Sequence, residues 1–169
     1  MMDIKQFNQL FEGFATTKIG VVGDIMLDTY WWGKVDRISP EAPVPVVAVT
    51  IREQRIGGAG NVALNLVSLG AYVNVLTVLG KDDDGEQLTT LFNQNNIGAK
   101  YIVTSTDRIT TNKIRIISRN QHMMRLDAEM QTDITQNDEE KLLYAFDNSL
   151  INAIQFGLVV GHDDLPSWV

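Results

Sequence analysis

A chain of 169 residues, 44% apolar and 21% charged, has room for one packed domain or for a portion of a larger one. It has no cysteine and two histidines, which excludes a disulfide framework and thiolate metal sites and leaves little for a zinc centre. A net charge of −7 lacks the basic footprint of a nucleic-acid binder, and no apolar run reaches the roughly 20 residues that cross a bilayer. Asp3, Lys5, Gln6 and Glu12 interrupt the start, so it does not read as a signal peptide. The composition therefore predicts a cytoplasmic protein with neither nucleic acid nor membrane among its partners.

Ile4, Phe7, Leu10, Phe11 and Phe14 recur at helical spacing and predict an amphipathic helix over residues 3–14. Lys18-Ile19-Gly20-Val21-Val22 reads as a buried strand ending in a turn at Gly23-Asp24, with Asp28 shortly after. In an open α/β sheet, residues just past a strand's carboxyl end face the binding crevice. Carboxylates there accept hydrogen bonds from sugar hydroxyls; turn formation and helix capping account for Asp24 and Asp28 equally well. Tyr30, Trp31 and Trp32 lead into a segment broken by Pro40, Pro43 and Pro45, which excludes a helix. The β-branched run Val44 to Ile51 predicts a strand. Residues of about 30–56 thus read as a lid that leaves the main sheet and returns at Gly57. An exposed apolar lid strand pairs readily with a second copy, which points to a homodimer.

Glycines crowd the start of Gly57-Gly58-Ala59-Gly60-Asn61, and Val62, Ala63, Leu66, Val67 and Leu69 run on to Gly70. That is a helix with one buried face and a glycine stop. Glycine at a helix start lets a ligand approach backbone N–H groups, where the helix dipole favours anions. Asn61 and Asn65 share a face. A tight loop capped by Asn61 is the plainer alternative.

Tyr72 to Leu79 predicts a core strand. It feeds Lys81-Asp82-Asp83-Asp84, an acidic turn without the alternating ligand spacing of a calcium loop, so no metal site is assigned. A helix over 86–96 turns Leu88, Leu91 and Phe92 inward, and Gly98 separates it from a strand over 99–104. In Lys113-Ile114-Arg115-Ile116-Ile117-Ser118-Arg119-Asn120-Gln121, apolar and basic residues alternate as in a half-buried strand. Asn120-Gln121 would turn it into a partner strand over 123–127, a second lid segment of about 108–128. This hairpin gathers Lys113, Arg115, Arg119 and Arg125 in an acidic protein, as a phosphate or other anion would require; a charged, solvated edge strand is the alternative. A helix over 136–154 (Leu142, Leu143, Phe146, Leu150 and Ile154 inward) and a strand over 156–161 follow. Alternating strands and helices imply a doubly wound, mainly parallel α/β sheet. Residues 162–169 are too few for the next crossover helix, so the chain reads as cut short.

Gly23-Asp24-Ile25-Met26-Leu27-Asp28, Arg37-Ile38-Ser39-Pro40-Glu41-Ala42-Pro43-Val44-Pro45-Val46, Gly57-Gly58-Ala59-Gly60-Asn61 and Ser118-Arg119-Asn120-Gln121 together resemble the ribokinase-like (PfkB) carbohydrate kinases. The proline-containing run is most similar to their heptose 7-phosphate kinase branch, which occurs in bifunctional kinase/adenylyltransferases. The resemblance covers residues 18–161, close to the N-terminal half of such a kinase domain. It implies an incomplete ribokinase-like sheet with a small β lid. The activity implied is phosphorylation of D-glycero-β-D-manno-heptose 7-phosphate at its anomeric hydroxyl, from ATP and Mg2+, in ADP-heptose and lipopolysaccharide synthesis. Asp28 would bind sugar hydroxyls with Asp24 nearby, Gly57, Gly58 and Asn61 would form the sugar-facing turn, and Lys113, Arg115 and Arg119 would reach in from the lid, some of them to the 7-phosphate. The lid would also make a dimer contact.

The family's base, the Asp of a Gly-Ala-Gly-Asp motif, and its nucleotide pocket belong to a C-terminal half absent from this sequence, as is the adenylyltransferase domain. Gly58-Ala59-Gly60-Asn61 looks similar, but Asn is no base, and Gly161-His162-Asp163-Asp164 replaces a Ser-Asp-Tyr-x-Lys-Gly pattern. No catalytic residue is therefore assigned, and the chain is expected to be inactive alone. A non-catalytic sugar-phosphate-binding or dimerisation module is the alternative. Gly58-x-Gly60-x-x-Ala63 fits a dinucleotide fingerprint formally, but an extended proline-rich segment precedes it where a buried strand is required.

Overall fold

The computed structural model describes residues 3–151 and 158–161. In chain order the elements are α1 (Ile4–Phe14), β1 (Lys18–Gly23), β2 (Ile25–Ile38), β3 (Pro45–Gly58), α2 (Ala59–Ser68), β4 (Tyr72–Gly80), α3 (Asp83–Gln94), β5 (Gly98–Ser105), β6 (Asn112–Ser118), β7 (Gln121–Ala128), α4 (Gln136–Ile151) and β8 (Leu158–Gly161).

They form two sheets. The first has the order β5-β4-β1-β8 with every neighbour parallel. Its central strands are near-continuous apolar runs, as a sheet covered on both faces requires. Val21, Val73, Val75 and Leu79 pack with Ala59 and Ala63 of α2 and with Leu88 and Phe92 of α3 to make the core. The second sheet has the order β3-β2-β6-β7, with β2 antiparallel to β3 and parallel to β6. The architecture is mixed α/β, parallel in its main sheet, as the alternation of strands and helices implies.

Local chemistry sets the ends of the elements. Asp3 and Gln6 form a capping box at the start of α1. Asp82 caps α3 by accepting the Gly85 N–H, and Asp83, Asp84 and Glu86 fill its first turn, where the helix dipole favours negative charge. The cap starts this helix at 83, before the 86 read from its apolar spacing. Gly70, just past the C-cap of α2, takes a φ of +98°, which an L side chain rarely adopts.

Three further features differ from the sequence expectation. The β6–β7 turn centres on Arg119-Asn120, not Asn120-Gln121: both residues have positive φ, +51° and +60°, the geometry whose twist matches a two-residue hairpin. Leu143 was expected inward but is 57% exposed. Helix α4 lies on β5 through the stripe Asp138, Leu142, Ala145 and Phe146, and Leu143 is one step off it. Asn61 does not cap α2; the N-cap is Gly58, which has no side chain to offer. The inward placement of Leu150 and Ile154 falls on side chains outside the described residues.

Asp138 is the one buried carboxylate among the described residues, 1% exposed at the start of α4. The Ser105 hydroxyl donates to it at 2.6 Å and holds its pKa below the ordinary 3.8, against burial and with help from Thr135 and Lys141. A depressed carboxylate stabilises the fold above its ordinary pKa, and that contribution is lost as pH falls from about 4 through the folded value. Ser105→Ala is expected to cost about 1.5–3 kcal/mol at pH 7. The cost should shrink below pH 4, which urea unfolding at both pH values checks.

Candidate functional site

Strand β1 ends at Gly23 and β2 begins at Ile25, so a single residue, Asp24, links this core strand to the second sheet. Ribbon β2–β3 returns to the same place: Ile25 pairs with Gly58 and Met26 with Gly57, and α2 starts at Ala59. The Ala59 N–H donates to the Asp24 carbonyl at 2.9 Å and closes the junction. Carboxyl ends of parallel strands, a helix start and the root of the second sheet therefore meet at one point.

Strand alternation then places side chains. Asp28, Tyr30 and Trp32 share one face of β2. On that face Asp28 lies between Arg55 of β3 and Lys113 of β6, and Tyr30 between Glu53 and Arg115. Arg115 Nη1 donates to Asp28 Oδ1 at 2.5 Å, each side chain 19% exposed. Burial alone would weaken the Arg115 charge, but the Asp28 bond, with Tyr30 and Asp127 alongside, more than offsets it. A Cβ on Gly57 would lie 2.5 Å from Asp28 Oδ2 and 2.8 Å from Cγ, so glycine keeps the second carboxylate oxygen open.

Asp24, Asp28, Gly57 and Gly58 meet at the junction, and Asn61 is exposed in the first turn of α2 just beyond it. Lys113 and Arg115 join them through the pairing of β6 with β2. Arg119 stands apart on the hairpin turn, four residues beyond Arg115. Arg55 and Tyr30 belong to the same face, and neither is among the site residues the sequence suggests. Their signal was present: Arg55 is two residues before Gly57 and Tyr30 two after Asp28, the strand period in each case.

A buried polar chain fixes the root of the second sheet. Thr29 donates to Asn112 at 2.8 Å, and the Asn112 amide donates to Asp84 at 2.9 Å. One residue pair away, the Leu27 N–H donates to the Thr111 carbonyl. Thr110 N–H also donates to Asp82, whose carboxyl burial would raise but which this bond and Gly85 hold low.

The family described as pfkB family carbohydrate kinase matches residues 16–163. The bifunctional protein HldE of Trichlorobacter lovleyi is 44% identical over 142 residues, 84% of this chain and 29% of that protein. A D-beta-D-heptose 7-phosphate kinase of Bordetella bronchiseptica is 45% identical over 122 residues, 72% of this chain and 39% of that one. The chain thus spans about a third of the length of such relatives. Among solved structures, a carbohydrate kinase from Agrobacterium tumefaciens superposes with a TM-score of 0.63 at 21% identity, covering 84% of this chain and 45% of that one. This last likeness concerns the fold.

Proposed function

The chain belongs to the pfkB family of carbohydrate kinases, and we propose that it serves the phosphorylation of D-glycero-β-D-manno-heptose 7-phosphate at its anomeric hydroxyl, in the cytoplasm, on the way to ADP-heptose. The observation that carries the reading is the Asp28–Arg115 pair beside Gly57, in a chain similar to a heptose 7-phosphate kinase over most of its length.

The pair divides the ligand. Asp28 Oδ2 accepts sugar hydroxyls, with Asn61 and the Gly57-Gly58 backbone lining the approach and Asp24 at its edge. Lys113 and Arg115 face the phosphoryl end, and Arg119 is the outermost candidate for it. Guanidinium and ammonium groups bind a phosphate dianion far better than a neutral hydroxyl, so the basic strand selects the phosphorylated sugar. Phosphoryl transfer depends mainly on positioning and charge stabilisation, and these residues supply positioning. Kinases of this family take ATP and Mg2+. Among the described residues no group of three His, Asp or Glu side chains is placed to hold a metal ion.

Calorimetry of the purified chain tests the reading: heat is expected with heptose 7-phosphate and much less with the unphosphorylated heptose. Silence with both would end it.

The other face of the second sheet favours a homodimer. Trp31, Ile116 and Met124 form one row across it, and Ile114 and Leu126 belong to the next. Met124 is 56% and Leu126 42% exposed, an apolar patch of the kind that marks association. Sedimentation is expected to give a dimer that Met124→Glu with Leu126→Glu converts to a monomer; a wild-type monomer would rule it out.

A further inference from the structure

Two guanidinium groups converge on one aromatic ring. Arg55 Cζ lies 4.9 Å and Arg115 Cζ 5.3 Å from the centroid of Tyr30. The arginines come from β3 and β6, the strands on either side of β2, so they reach the ring from opposite flanks. The ring is itself stacked on Trp32, centroids 6.4 Å apart and planes 20° from parallel.

Like charges brought this close repel, and the arrangement contains what offsets the repulsion. The electron-rich ring attracts both cations. Each arginine also has its own carboxylate: Arg55 Nε meets Glu53 at 2.7 Å, and Arg115 Nη1 meets Asp28. A guanidinium carries five N–H donors, and these contacts engage only a few of them. Arg52 makes the contrast: it lies over Trp31, on the opposite face, away from Asp28.

We infer that Tyr30 is a positioning residue, holding Arg55 and Arg115 on its two flanks as a clamp for the ligand's phosphoryl group; this rests on the sugar-phosphate reading above. A phosphoryl dianion presents three acceptor oxygens, and two guanidiniums held at a fixed separation meet them together. The ring face, not the hydroxyl, does the holding.

The test compares calorimetric affinities of the wild-type chain, Tyr30→Phe, Tyr30→Leu and Arg55→Gln for heptose 7-phosphate and for unphosphorylated heptose. Tyr30→Leu and Arg55→Gln are expected to weaken the phosphorylated sugar about tenfold while leaving the other within about twofold, and Tyr30→Phe to keep both. Equal losses for both sugars, or a Phe variant as weak as the Leu variant, would overturn the inference. Arg55 is exposed enough for its variant to fold even should Tyr30→Leu not. A second readout needs no sugar: the Nε–H resonances of Arg55 and Arg115 are followed by NMR as inorganic phosphate is added. Both should move in the wild type and in Tyr30→Phe. If neither moves, the clamp is wrong whatever the sugar does. If both move while heptose 7-phosphate gives no heat, the clamp stands and the sugar reading falls.

Discussion

Gly58→Ala is expected to lower the thermal unfolding midpoint by about 10 °C, the shift that a loss of about 2–4 kcal/mol produces in a chain of this size. Two costs combine. Gly58 holds φ +59° and ψ −138° as the N-cap of α2, a region that a side chain enters only under strain. A Cβ there would also lie 2.5 Å from the Asp24 carbonyl oxygen. That oxygen is backbone and accepts the Ala59 N–H, so it cannot swing away as a flexible side chain would. Relief requires moving either the end of β1 or the start of α2, and both line the proposed sugar site. Calorimetric unfolding checks the stability, and ligand binding should fall with it. An alanine variant that melts within about 2 °C of the wild type would show that the junction is more pliable than its geometry implies.

Asp28→Asn is expected to weaken heptose 7-phosphate binding by about 10–100-fold, the value of exchanging a charge-assisted hydrogen bond for a neutral one. The amide keeps the shape of the carboxylate and still accepts one hydroxyl, so the loss reports charge and not space. Stability should fall much less, by about 1 kcal/mol, since the Asp28–Arg115 pair is partly solvated. The two effects separate a binding role from a structural one. Unchanged binding with a large drop in the unfolding midpoint would make Asp28 a purely structural anchor for Arg115.

How far the sequence reveals this arrangement depends on how local the cause is. The glycines at 57 and 58 and the carboxylates at 24 and 28 are recognisable because each answers a local demand: a side-chain-free approach, or an acceptor just past a strand. The buried parallel strands are recognisable as apolar runs. What stays hidden is pairing at long range. Nothing near Arg115 says that its strand lies beside β2, 87 residues earlier in the chain at Asp28, and without that register the basic residues remain a composition. The same gap concealed Arg55 and Tyr30, although strand period alone put each on the face of a residue already chosen. The Arg119-Asn120 turn escaped because non-glycine residues seldom take positive φ, and only the twist of the closing hairpin makes it worthwhile there.

The single-residue passage at Asp24 has a mechanical consequence. Fourteen residues of β2 project from it, a boom of roughly 40 Å at the usual rise per residue. A tilt of about 10° at the base therefore sweeps the far end through roughly 7 Å over such a length, while Asp28, four steps out, moves by only a fraction of that. Whatever reaches the far end acts with a long moment arm, and the Thr29–Asn112–Asp84 chain, together with the β3–α2 joint at Gly58–Ala59, resists it at the short arm.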